Sequence, residues 1–395
     1  MNDSQGFGST RSGRHFLQVP GPSNVPDRVL RAMARPTIDH RGPEFAALTL
    51  ELIPGLRRVF NTSGPVILYP GSATGGWEAA FTNTLSAGDK ILMFDSGVFA
   101  SNWKTAAERF GLDIDFVECD WRKGVDPDVV ESRLKADGSH RIKSVMVLHN
   151  ETSTGITNSI ASVREAMNST RHPALLMVDA VSSAGSIEIR QDDWGVDVTI
   201  AGSQKGLMLP PGLCLNVLSE KAVAASRAAG LPRSYWSWKD MLASNETGYF
   251  PYTPPTNLMY GLHEALRMMM AEGLAAIYAR HARLAEATRR AVAAWQLENY
   301  CQLPQKSSNT VTAVQVPDGT NADALRKVIL ERFDLSLGAG LGPLAGKVFR
   351  IGHLGDFNEL MLIGTLGGIE MGLKAAGVPS APGGVSAAMS FLAAG

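Results

Sequence analysis

Cysteine is scarce in this chain. Cys119, Cys214 and Cys301 are its three cysteines in 395 residues, and they lie far apart, with no CxxC pair and no His/Cys spacing suited to zinc. That usage excludes a disulfide scaffold and fits a reducing cytoplasm. No apolar run approaches the roughly 20 residues that span a bilayer, and the polar start MNDSQGFGSTRSGR lacks the apolar centre of a secretion signal. A membrane partner is not expected, and the start reads as a mobile arm. An excess of either charge is missing too: 37 basic residues face 38 acidic ones, with no dense Lys/Arg cluster, which argues against nucleic acid. Low-complexity tracts are absent, and 45% hydrophobic against 19% charged residues is an ordinary globular balance.

The length exceeds what one core accommodates, so two domains are expected. From residue 65 to about 218, short apolar runs alternate with helical patterns. The expected strands are PVILY (65–69), KILMF (90–94), IDFVE (114–118), KSVMVLH (143–149), ALLMV (174–178), DVTIA (197–201) and LCLNVLS (213–219). Strands followed by helices predict an α/β fold with a mainly parallel sheet of seven strands, whose ligands sit outside the carboxyl ends. Residues 231–257, rich in aromatics and proline, read as a long ordered loop, and 258–296 as two helices broken at Gly273. Beyond them, VTAVQV (311–316), a helix over about 321–332, KVFRIGH (347–353) and a helix over about 358–374 suit a small sheet covered by helices. The expected division is an N-terminal arm over 1–21, a large domain over 22–272 and a smaller C-terminal α/β domain over 273–395. The tail APGGVSAAMSFLAAG is either a terminal helix or frayed.

Three features fall at strand ends and complement one another chemically. GSATGG, after the strand over 65–69 and before the helical WEAAFTNTL, offers an anion small residues, free N–H groups and a helix dipole. Read alone, it is equally a tight turn. Asp179 follows ALLMV, and a carboxylate at the end of a buried strand needs a cationic or hydrogen-bonded partner, unless it merely caps the next turn. Lys205, in VTIAGSQKGLMLPPG, is either a solvated loop lysine or an amine whose surroundings make it nucleophilic. Together they supply an anion cradle, an acid for a pyridinium nitrogen and an amine for an aldehyde, the needs of pyridoxal phosphate. A dehydrogenase binding a dinucleotide at GSATGG is the alternative of a different class, but the turn lacks the usual glycine spacing.

The ordered set GSATGGWEAA, HNETSTG, VDAVSS, GSQK, PYTPP and KVFRIGHLG resembles the class V aminotransferases of pyridoxal phosphate fold type I, most of all the serine–glyoxylate and alanine–glyoxylate enzymes. The resemblance implies that Lys205 binds the cofactor's aldehyde and moves the proton between the substrate Cα and the cofactor. It implies that Asp179 pairs with the ring nitrogen, and that Ser72, Ala73, Thr74 and Gln204 hold the phosphate. It also implies that Phe99 stacks on the ring, that Thr152 meets the ring oxygen and that Arg350 grips the substrate carboxylate. A homodimer with shared sites is implied, with further pairing into tetramers left open; in the dimer Thr253 of FPYTPP reaches the partner's phosphate. Phe250 stands where alanine–glyoxylate enzymes place a phosphate-contacting tyrosine; Tyr249 and Tyr252 are the candidates to replace its hydroxyl, and the sequence leaves the choice open. Cysteine desulfurase activity is disfavoured, because SLGAGLGPLAGKVF holds no cysteine. The implied reaction transfers the amino group of a small amino acid, serine first, to glyoxylate. Aspartate becomes a donor if Arg41, in PTIDHRGPEF, pairs a second carboxylate; otherwise Arg41 forms a structural ion pair at the interface.

Overall fold

Alternation along the apolar runs sorts their side chains onto two faces. Val66 and Leu68, Leu92 and Phe94, and Leu176 and Val178 enter one core, while Ile67 and Tyr69, Ile91 and Met93, and Leu175 and Met177 enter another. Successive side chains of a strand point to opposite faces, so runs apolar at every position belong in a sheet covered on both sides. The computed structural model, which describes residues 12–394, contains that sheet. Of the expected mobile start, residues 1–11 lie outside the described residues.

In chain order the strands are β1 (Phe16–Gln18), β2 (Val66–Gly71), β3 (Lys90–Asp95), β4 (Asp113–Glu118), β5 (Ile142–Leu148), β6 (Asn150–Glu151), β7 (Ile156–Thr157), β8 (Leu175–Asp179), β9 (Val198–Gly202), β10 (Gly212–Leu218), β11 (Glu298–Asn299), β12 (Val311–Gln315), β13 (Leu335–Ala339) and β14 (Val348–Gly352). Seven form one sheet in the order β2-β10-β9-β8-β5-β3-β4, and all seven are the expected runs to within a residue or two. From β9 to β4 every pairing is parallel; β10 runs antiparallel to both β9 and β2. Two reversals restore direction, so the carboxyl end of β2 meets those of β9, β8, β5 and β3 on one edge.

The smaller sheet has the order β1-β13-β14-β12-β11 and carries its own core, including Leu337, Phe349, Ile351 and Leu366. We propose the division 1–21, 22–272 and 273–395 for the domains, with the qualification that β1 pairs in parallel with β13. The arm thus supplies an edge strand to the small sheet. β13 escaped the sequence reading because LSLGA ends in small residues that resemble a loop.

Two expectations are corrected or sharpened. Residues 231–257 are not loop throughout: helix Trp238–Asn245 interrupts them, capped by Ser237 and held by buried Trp238 and Met241. The tail forms helix Gly384–Ala393, packed on helix Leu274–Ala294. Between the domains, helices Thr256–Glu272 and Leu274–Ala294 meet at Gly273, whose φ of 88° favours a residue without a side chain.

Candidate active site

The loops after β2, β3, β5, β8 and β9 enclose a cavity of about 290 Å³ on the carboxyl edge of the sheet. Ser72, Ala73, Thr74, Phe99, Thr152, Asp179, Gln204 and Lys205 all line it. Eight residues named from the sequence are thus brought together. Thr253 is exposed on its loop, and Arg350 stands behind the cavity wall, donating from Nη1 to the carbonyl of Thr152 at 2.9 Å and from Nε to that of Ala339 at 2.7 Å.

The turn after β2 leads into helix Ala73–Thr84, where Ser72 is the N-cap residue, makes no capping hydrogen bond through its side chain, and no acid occupies the first turn. The first amides of this helix and the positive end of its dipole therefore face the cavity ready for an anion. Beside it, Oε1 of Gln204 is buried without a hydrogen-bond partner. A buried acceptor left unpaired costs about 1–3 kcal/mol; an anion here is served by the donating amide nitrogen of Gln204, not by this oxygen. The backbone must stay thin here: a Cβ on Gly202 would lie 2.9 Å from that oxygen.

Asp179 ends β8 and is buried. Burial pushes its pKa up to about 6, while the N–H groups of Val181 and Trp77 and the charge of Lys205 pull it down. Oδ1 accepts from Val181 at 2.9 Å and Oδ2 from Trp77 Nε1 at 2.7 Å. These bonds favour the ionised form, which a protonated ring nitrogen would favour further.

Lys205 lies in the turn after β9. Ser203 holds that turn shut by donating to the carbonyl of Pro210 at 2.7 Å and accepting from the amide of Leu213 at 3.1 Å, so LPPG makes a rigid exit. Burial, helped by the charge of Arg350, lowers the amine's pKa to about 8 despite Asp179 and Glu151. Arg350 itself is drawn down to about 10 by burial, offset by Glu151.

Several residues escaped the sequence reading. Trp77, Asn150, Ser182, Gly21 and Pro22 also line the cavity. Glu151 is buried, with its acidity weakened by burial; it accepts from Ser153 and from the amide of Ala100 at 3.2 Å, bracing the start of helix Val98–Arg109 beside Phe99. The acid in HNETSTG was the available signal, because a carboxylate two residues past a buried strand needs donors.

A model of the family described as "Aminotransferase class-V" matches residues 15–342. The chain belongs to the class-V aminotransferases. It is 50% identical over 389 residues, 97% of each chain, to a protein of Methylorubrum extorquens named serine–glyoxylate aminotransferase. A Paracoccus denitrificans protein named L-aspartate–glyoxylate aminotransferase is 44% identical over 94% of each chain. Among solved structures, pyridoxamine–pyruvate aminotransferase from Mesorhizobium loti superposes with a TM-score of 0.91 at 31% identity, covering 98% of this chain and 99% of its own.

Membership in this class of transaminases implies pyridoxal phosphate. The residues fit it on their own chemistry: a helix start with free amides and no acid in its first turn, a buried carboxylate and a buried amine face one cavity. No group of three or more His, Cys, Asp or Glu suited to a metal occurs among the described residues, and no helix among them is long and apolar enough to cross a membrane. Phe250 packs edge-on against Phe45 at 5.9 Å, whereas the Tyr252 hydroxyl is buried without a partner, its ring stacked on Tyr235 at 4.3 Å.

Proposed function

We propose that this aminotransferase moves the amino group of a small L-amino acid, serine first, to glyoxylate, giving glycine and a 2-oxo acid. The observation that carries the reading is the convergence of Lys205, Asp179 and the Ser72–Thr74 turn on one cavity, in a chain half identical to a relative named for that reaction. Bound there, pyridoxal phosphate supplies an electron sink for the bond broken at the substrate Cα.

The chain's own groups do the rest. The helix start at Ser72, Ala73 and Thr74, with Gln204, binds the phosphate. Asp179 stays ionised against the ring nitrogen, Phe99 covers the ring face and Thr152 offers its hydroxyl to the ring oxygen. Lys205 would anchor the cofactor and, once released, would take the proton from the substrate Cα on its ε-amino group and hand it on to the cofactor side. Arg350, reaching past Thr152, receives the substrate carboxylate and orients the Cα. In the homodimer we propose, Thr253 reaches the partner's phosphate, and the unpartnered Tyr252 hydroxyl replaces the one missing at Phe250. We assign the protein to the cytoplasm.

Aspartate is the second reading, favoured by the Paracoccus relative. Arg41 is exposed in the single chain, and its backbone amide is held by Asp39 at 2.9 Å. A panel of serine, alanine and aspartate, each with glyoxylate and pyruvate, decides between them. The highest kcat/KM is expected for serine with glyoxylate; a higher value for aspartate overturns the serine assignment.

A further inference from the structure

The segment Val19–Ser23 leaves β1 at the edge of the small sheet and crosses to the turn that carries Lys205. Nζ of Lys205 donates to the carbonyl of Pro20 at 2.5 Å. Two further bonds tie the same strap to the same turn: the amide of Ser23 donates to the carbonyl of Gln204 at 3.0 Å, and its hydroxyl to the carbonyl of Lys205 at 2.9 Å. The strap therefore holds the lysine at its backbone and at its tip.

Its other side is wedged against the strands flanking Arg350. A Cβ on Gly352 would lie 2.3 Å from the carbonyl of Val19, and one on Gly338 would lie 2.7 Å from Cδ of Pro20 and 3.0 Å from Cβ of Arg350. Gly21 faces the lysine itself, with φ at 118°; a Cβ there would lie 2.4 to 2.5 Å from Cε, Cδ and Nζ of Lys205. Real Cβ contacts are essentially never that short. These glycines let one backbone strand thread between the arginine and the lysine.

We propose that the Val19–Ser23 strap is a positioning element for Lys205, in which the Pro20 carbonyl accepts one N–H of the free ε-amino group and so aims its lone pair into the cavity. This deepens the reading of Lys205 as the base and rests on it. A neutral amine carries two N–H bonds and one lone pair, so pinning one N–H removes most of its rotational freedom. The same carbonyl binds the ammonium form more strongly than the amine, because charge-assisted hydrogen bonds are roughly twice as strong as neutral ones. It thereby moderates the loss of basicity that burial imposes. The spacing between base and carboxylate clamp is then set through a few residues of backbone touching both.

The test begins with cofactor-free protein, by following the acylation of Lys205 against pH with peptide mass spectrometry. In Gly21→Ala the added methyl displaces the amine from Pro20, and the labelling midpoint is expected to fall by about half a pH unit or more, the size of one lost hydrogen bond. Ser23→Ala, which keeps the backbone and removes one tether, is expected to move it the same way by less, and covers the case in which Gly21→Ala does not fold. A midpoint that stays or rises in the folded variants overturns the proposal. Exchange of the serine Cα proton for deuterium in loaded enzyme separates the two levels. Exchange at the wild-type rate in Lys205→Ala sinks the base assignment itself. Exchange lost there, yet unchanged in Gly21→Ala, leaves the base assignment standing and overturns the aiming role of the strap. The expected result is loss in the first and at least about tenfold slowing in the second, with the serine Kd within threefold.

Discussion

Trp77 Nε1 donates to Oδ2 of Asp179 at 2.7 Å, joining residues 102 positions apart in sequence. Trp77 is held for this by stacking on buried Trp103 at 5.9 Å, so the bond belongs to a rigid aromatic layer. Burial pushes Asp179 toward its protonated form, and the indole opposes that push. Trp77→Phe keeps the layer and removes the donor. A hydrogen bond to a charged group is worth about 1.5–3 kcal/mol, so the acidic limb of the kcat–pH profile is expected to rise by about one to two pH units. An unmoved limb would show that the indole does not govern the Asp179 proton.

The Lys205 amine, lowered by burial to about 8, is about one-tenth neutral at pH 7, far more than an ordinary lysine. The sign follows directly. The rate at which cofactor-free protein captures pyridoxal phosphate is expected to climb between pH 6 and 8 and to level off above about 8, when followed by the cofactor's visible absorbance. Continued climbing to pH 10 would return Lys205 to ordinary basicity, and Lys205→Arg is expected to abolish capture.

Arg350 is fixed by two carbonyls, those of Ala339 and Thr152, which set the plane of its guanidinium. Lysine keeps the charge and loses the fork. In Arg350→Lys the KM for serine is expected to rise roughly 30- to 150-fold, the equivalent of about 2–3 kcal/mol for a lost charge-assisted contact, with kcat changed less. The reverse pattern, kcat falling at constant KM, would remove Arg350 from ground-state carboxylate binding.

For Arg41→Ala the measurement is kcat/KM for serine and for aspartate side by side. If the homodimer brings Arg41 to the partner's site, aspartate activity falls about tenfold or more while serine is spared, since an unpaired second carboxylate is costly to bury. Equal, small changes for both donors assign Arg41 to structure.

The sheet was legible in the sequence because most of its runs report burial on both faces, and burial is local information: an apolar residue at every position of PVILY or ALLMV leaves few alternatives to a covered strand, whereas IDFVE interleaves polar residues as the edge strand β4. Lys205, Asp179 and the turn at Ser72 were legible for a related reason. Each is chemically odd for its place, following a buried strand, and a parallel sheet collects such places on one edge. The helix at Trp238–Asn245 and strand β13 were not, because their identity depends on packing partners distant in sequence: Asn83 Oδ1, which accepts from the Trp238 amide at 2.9 Å, and β1.

By itself, then, the sequence determined the seven strands of the large sheet, the chemistry of the cavity's acid, amine and anion cradle, and the family. Only the tertiary structure decided what surrounds those groups. The reversal at β10 brings the end of β2 to the same edge as Lys205, the indole of Trp77 meets Asp179, and Pro20 crosses from the small sheet to the amine. The physical reason is that a residue's type is written in the chain, whereas the proton it holds depends on burial and on hydrogen bonds from segments that only folding brings within 3 Å.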